Sequence, residues 1–139
     1  MEPRSTTLEH VGEWKVSVEA DTLEAVFIEL ARVIARSVGE GSSAAGEWEP
    51  VVVAARDPAT LLVDWANEML GRSEVTGRAY SEARRVRIRE LADSSHQFSA
   101  EVRGPAVDTW TSPLKAATYH GLSLRKVGGR WHAVILFDV

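Results

Sequence analysis

The chain has 139 residues, a formal net charge of −4 and no cysteine, which suits one domain, residues 1–139, able to bury about two thirds of its unfolded surface without covalent staples. Disulfides, thiolate metal sites and cysteine nucleophiles are excluded, which fits a reducing compartment without proving one. The acidic balance excludes whole-chain attraction to a phosphate backbone; the opening MEPRSTTLEH lacks a signal segment and no window reaches the ~20 apolar residues of a membrane span, so a cytoplasmic setting without a membrane partner is expected.

The first predicted element is a strand in EWKVSVEA, where Trp14, Val16 and Val18 alternate with Lys15, Ser17 and Glu19. Asp21 or Thr22 then caps a helix whose Leu23, Val26, Phe27, Leu30, Val33 and Ile34 recur at helical spacing, ending near Val38. Residues 39–47, GEGSSAAGE, read as a loop. WEPVVVAAR resumes extended structure, with Pro50 placing its start at a strand end or an edge. A second helix is punctuated by Asp57 as cap, Pro58 at the first helical position and Gly71 as left-handed exit. Its stripe is Leu61, Leu62, Trp65, Met69 and Ala66, with Asp64, Asn67 and Glu68 at the border.

ARRVRIREL alternates Val86 and Ile88 with Arg85, Arg87 and Arg89. Those cations suit nucleic acid, an acidic partner or the solvated face of an edge strand; the chain's excess of arginine, 13 against 3 lysines, reads as compositional bias. HQFSAEVRG turns Phe98, Ala100 and Val102 inward. LKAATYHGLSLRKV and RWHAVILFDV form a hairpin through Gly128-Gly129, a pair suited to positive φ. The order β-α-β-α-β-β-β-β predicts an α+β two-layer sandwich, two helices on one face of a roughly six-stranded, mixed or mainly antiparallel sheet.

Four ordered pieces carry a family resemblance: LEHVGEWKVSVEADTLEAVF, LLVDWANEML, KAATYHGL and AVILFDV. In these the chain resembles the archease family, with its His-Thr-Ala-Asp-like opening, Leu-Val-Asp-Trp helix, Lys-Ala-x-Thr-Tyr-His strand and terminal Asp. The third piece is the most specific, because strand-forming pressure alone does not ask for Lys and His around Thr-Tyr. The first piece departs: Val11-Gly12 stand for Thr-Ala, and Glu13 stands where the family usually has Asp.

The resemblance implies an accessory protein of tRNA splicing and RNA repair. Its partner is an RNA ligase that joins a 3′-phosphate or 2′,3′-cyclic-phosphate end to a 5′-hydroxyl, and its role is to promote that ligase's guanylylation and multiple turnover without being an enzyme itself. Direct RNA binding is expected to be weak or absent. The family's metal-binding acids carry over to Glu13 and Asp138, and Lys115 matches a lysine associated with function.

Two adjacent carboxylates call for a proton, a lysine or a hard cation. With oxygen donors alone, Ca²⁺, Mg²⁺ or Mn²⁺ fits, and the longer Glu13 side chain suits the looser geometry of Ca²⁺. Lys115 suits a phosphate or an acidic partner surface, or simply reaches into water. His120 and His10 are candidate contacts, ligands or proton carriers, and His120 alternatively is restrained by the hydroxyl of Thr118 or Tyr119. Asp64 either faces the same polar end of the sheet or is solvated. Two alternatives stay open: a small metal-dependent phosphate or nucleotide hydrolase, which no nucleophile, metal-ligating histidine cluster or phosphate-cradling glycine loop supports, and a diverged archease-like binding module without metal.

Overall fold

The computed structural model describes residues 2–10, 12–41 and 43–139, with the His10 side chain outside that description. In chain order the elements are β1 (Arg4–His10), β2 (Glu13–Ala20), α1 (Leu23–Val38), β3 (Glu49–Ala55), α2 (Pro58–Thr76), β4 (Glu82–Glu90), β5 (His96–Arg103), β6 (Ala116–Val127) and β7 (Arg130–Asp138). The α+β class is as expected. The strands among the described residues number seven instead of six, and they divide into a four-stranded sheet, β1-β2-β7-β6, and a three-stranded one, β3-β5-β4. Every strand pairing is antiparallel.

The additional strand is β1. RSTTLEH has no alternating apolar face, and its one large apolar residue, Leu8, is exposed. It is a strand because its backbone pairs with β2 along its whole length, from Arg4 opposite Glu19 to His10 opposite Glu13. Burial is not what defines it.

Elsewhere alternation did predict burial. Val16 and Val18 of β2 and Phe98, Ala100 and Val102 of β5 face the core, while Ala133, Ile135 and Phe137 do so on β7, where the continuous apolar run AVILF shows no period. The two helices pack on each other and each touches both sheets, α1 through β2 and β4, α2 through β6 and β3. Phe98 is the hub: its ring stacks on Phe27 of α1 at 4.9 Å and leans on Trp65 of α2 at 4.3 Å. The Trp65 indole N–H donates to the Phe27 carbonyl at 2.9 Å, which satisfies the one polar atom of a fully buried ring.

The helix starts follow their caps. Thr22, not Asp21, caps α1, its hydroxyl accepting the Ala25 N–H, while Asp21 pairs with Arg130. Asp57 caps α2 by accepting the Thr60 N–H at 2.7 Å, with Pro58 as the first helical residue. The end of α2 differs from expectation. Gly71 lies inside the helix, which continues to Thr76 and exits at Gly77 with φ 72°. A mid-helix glycine costs only about 1 kcal/mol, and the buried Ser73 keeps the next turn docked.

In β4 the alternation holds for Val86 and Ile88, which pack on the core. It is interrupted by a register shift between Arg84 and Arg87, where Arg85 takes φ 55°. Gly128 and Gly129 adopt φ 60° and 79°, the tight turn expected of that pair. Among the described residues no helix is long and apolar enough to cross a membrane.

Candidate functional site

Strand register brings the candidate residues together at one end of the four-stranded sheet. Glu13, the first residue of β2, lies opposite Asp138, the last named residue of β7, and opposite His10 at the end of β1. Asp138 in turn lies opposite Ala116, the first residue of β6, so Lys115 stands one step outside that strand. The Lys115 N–H donates to the Asp138 carbonyl at 2.8 Å, and the Val139 N–H donates to the Gly12 carbonyl at 3.2 Å. These bonds fasten the strand ends to one another. Because Val16 and Val18 point into the core, the period of two turns Glu13 and Lys15 to the opposite face, and Asp138 shares that face by pairing with Glu13. Like charges directly opposite on neighbouring strands repel, and Glu13 and Asp138 stand in that relation.

Asp64 belongs to a different constellation. In β6, Thr118 lies opposite Leu136 and Ser123 opposite Val134, so residues 119–122 bulge out of the ladder. Gly121, with φ 67°, makes the turn; a Cβ there would sit 3.0 Å from a Leu136 methyl. Tyr119 leaves the sheet in this bulge, and its hydroxyl donates to the Asp64 carboxylate. That bond, followed by partial burial, raises the Tyr119 pKa above its ordinary value. The two side chains, with Ala55, Arg56 and Thr60, line an open cavity of about 340 Å³. A cavity of about 450 Å³ is lined by Arg32, Arg36, Glu40 and Pro105 among others, and by none of the candidate residues.

His120 is exposed in the same bulge. The hydroxyls expected to restrain it are engaged elsewhere, Thr118 with the Leu136 carbonyl and Tyr119 with Asp64. The His10 side chain lies outside the described residues, as does Val11 of the first motif piece.

Residues 6–139 match the model of the Archease protein family (MTH1598/TM1083). The chain belongs to the archease family. It is 29% identical over 137 residues to protein archease of Methanosarcina mazei, covering 95% of this chain and 93% of that one. With protein archease of Methanopyrus kandleri it shares 28% over 138 residues, 95% and 96% of the two chains. Among solved structures, Methanobacterium thermoautotrophicum protein 1598 superposes with a TM-score of 0.79 at 20% identity, covering 97% of this chain and 98% of that one. A Thermotoga maritima archease reaches 0.60 at 17%, covering 96% of each. Both structures bear out the archease fold.

The archease resemblance implies a metal at Glu13 and Asp138, and the donor chemistry can be tested against it. The two carboxylates share a sheet face on directly opposed residues, a fit for a hard cation with oxygen ligands. A Ca²⁺ ion takes six to eight such ligands, and among the described residues no group of three or more His, Cys, Asp or Glu could hold a metal. Two carboxylates alone supply only part of such a ligand set.

One positioning residue escaped sequence reasoning. The Asn67 amide of α2 donates to the Ala117 carbonyl at 3.0 Å and accepts the Ala117 N–H at 2.8 Å. Because β6 is an edge strand, Asn67 acts as its missing neighbour, two residues from Lys115. The signal was in LLVDWANEML: a carboxamide, able to donate and accept side by side, at the border of an otherwise buried helix face.

Proposed function

We propose that this archease-family chain is an accessory protein of an RNA ligase that joins 3′-phosphate or 2′,3′-cyclic-phosphate ends to 5′-hydroxyls. Its role is to promote guanylylation and multiple turnover of that ligase in tRNA splicing or RNA repair. The observation that carries the proposal is the convergence of three separate motif pieces: Glu13 and Asp138 are cross-strand partners, and the Lys115 backbone is bonded to Asp138. Residues distant in sequence thus meet at one polar end of the sheet, with Lys115 and Asp138 exposed and Glu13 half-buried. A surface of that kind suits contact with another protein.

Each group has a role in the proposed contact. Lys115, exposed beside the strand end, offers a cation to a phosphate or to an acidic surface of the ligase. Glu13 and Asp138 hold a divalent cation, Ca²⁺ in preference to Mg²⁺ or Mn²⁺ because its geometry tolerates an open site. When bound, that ion supplies positive charge for anionic oxygen ligands. Exposed His120, and Asp64 acting through the Tyr119 bulge, extend the contact. A cytoplasmic setting suits this role and the absence of cysteine.

The test is to add the purified protein to its cognate ligase with GTP and Mn²⁺ and measure the covalent guanylylate. A stimulated rate is expected, reduced about tenfold or more by Lys115→Ala or Asp138→Ala, the scale of about 1.4 kcal/mol per tenfold. No stimulation overturns the proposal. Nucleotide turnover by the protein alone, abolished by Asp138→Ala, would replace it with a hydrolase.

A further inference from the structure

The outer face of the three-stranded sheet carries a second cationic feature, remote in the fold from the Glu13–Asp138 pairing. Phe98, Ala100 and Val102 of β5 point inward, so their alternates Gln97, Ser99, Glu101 and Arg103 face out. Across from them on β4 stand Arg89, Arg87, Arg84 and Glu82. Part of this charge is internally matched. Arg103 pairs with Glu82, and Arg84 with Glu101, while the guanidinium groups of Arg84 and Arg103 each stack 4.2 Å from the Trp48 ring centre.

Three cations are in surplus. Arg85 must share Glu101 with Arg84, and its side chain is 73% exposed. Among the described residues Arg89 is hydrogen-bonded to the neutral amide of Gln97 alone. Among the described residues no carboxylate forms an ion pair with Arg87 or Arg89. An edge strand needs only a charge or two to discourage wrong pairing; a run of unmatched guanidinium groups exceeds that need.

The backbone adds an independent observation. Arg85 occupies the left-handed region at the bulge, φ 55°, where a side chain costs about 1–2 kcal/mol relative to glycine. The bulge turns an additional guanidinium outward that a regular ladder would have turned toward the core. Beyond the bulge, Arg87 and Arg89 are alternate residues of a regular strand, about 6.8 Å apart, a separation on the scale of successive phosphates along an extended strand.

We infer that the β4 arginine row, Arg85, Arg87 and Arg89, is a contact surface for the phosphate backbone of single-stranded RNA, weak and independent of sequence. The choice of RNA over other phosphate polymers rests on the ligase reading above; the phosphate contact itself rests on the row. An apolar protein partner fits less well, because protein interfaces are depleted of charge at their centre. Here the middle strand β5 presents Gln97, Ser99, Glu101 and Arg103, the arginine row lies beside it on β4, and the large exposed hydrophobic residue of the face is Val52, on the opposite edge strand. Three phosphate contacts on a chain of net charge −4 keep the binding weak, in line with the acidic composition.

The test is fluorescence anisotropy of a labelled single-stranded RNA oligonucleotide titrated with the full chain, without ligase, across a salt series. Three contacts predict that log K falls against log salt with a slope of about −2, at about −0.7 per phosphate. The double variant Arg87→Glu/Arg89→Glu, both at exposed positions, should weaken binding about tenfold or more and flatten the slope; Arg125→Glu, on the other sheet, should change neither. A DNA oligonucleotide of the same sequence should bind within a few fold, as expected for a phosphate grip. Saturable binding unaffected by the double variant overturns the inference, as does absence of binding at about 50 mM salt, or tighter binding to poly-glutamate than to RNA. Since no ligase is present, RNA binding without ligase stimulation would sink the accessory reading and leave the phosphate contact standing, while the reverse result would do the opposite.

Discussion

Replacing Asn67 with alanine should loosen β6 where it meets the candidate site. The amide supplies two bonds to Ala117, of 3.0 and 2.8 Å, and Ala117 is 5% exposed, so water replaces them poorly. Each lost bond forfeits about 0.5–1.5 kcal/mol, and a backbone group left unpaired in a buried setting costs about 1–3. With partial access from the edge, the combined loss is about 2–4 kcal/mol, which for a chain of this size lowers the melting temperature by about 7–14 °C. Urea denaturation measures the loss, and amide exchange at Ala117 locates it. Asn67→Asp should fall between alanine and the natural residue, because a carboxylate still accepts the Ala117 N–H yet cannot donate to its carbonyl. A loss below about 0.5 kcal/mol for Asn67→Ala, or equal losses for both variants, would refute the clamp.

Gly71 and Gly77 should respond in opposite directions. Gly71 is inside α2, exposed, with open space where a Cβ would stand, so Gly71→Ala should stabilise by about 0.5–1 kcal/mol in urea denaturation; Gly77, at φ 72°, should lose about 1–2 on the same change. Asp57→Ala should cost about 1 kcal/mol at neutral pH. The backbone N–H of Thr60, more than any other group, holds the Asp57 pKa below its ordinary value. The carboxylate's contribution is therefore complete above the unfolded value of about 3.9 and is lost as pH falls through the lower folded value. Stability curves of the two proteins should converge below about pH 3, and a constant gap would contradict the assignment. Calorimetric titration with Ca²⁺ should give a binding heat that Asp138→Asn removes and Glu13→Asp preserves or strengthens; indifference to both changes would remove the metal from that strand pair.

Capping chemistry and apolar period were legible because they act locally. Thr22, Asp57 and Pro58 start their helices where the residues say they should. The true end of α2 was not legible, since Gly71 carries the same local signal as Gly77, and only the packing of the following turn chooses between them. Neither was β1, which is held by pairing and has no buried stripe to read. The division into two sheets depends on which strands meet, a tertiary choice absent from any one segment's alternation. For the site, the motif pieces named Glu13, Lys115 and Asp138, but spacing along the chain could not place them together; the register of β2 with β7 does that. Asp64 reads in the sequence either as facing the polar end of the sheet or as solvated, because a helix-border aspartate has no visible partner until the β6 bulge delivers Tyr119 to it.

The pairing of β2 with β7 joins residues 13–20 to residues 131–138, so nearly the whole chain lies between the two partners. Long closures of this kind are slow relative to local contacts, and the helices and the β6–β7 hairpin have shorter routes to formation. During synthesis, the β2 edge that β7 will occupy must wait unpaired until β7 has emerged. The Glu13–Asp138 end is consequently among the last parts of the molecule to exist. A partner that grips it would engage finished molecules and pass over incomplete ones, a form of quality control that follows from strand order alone.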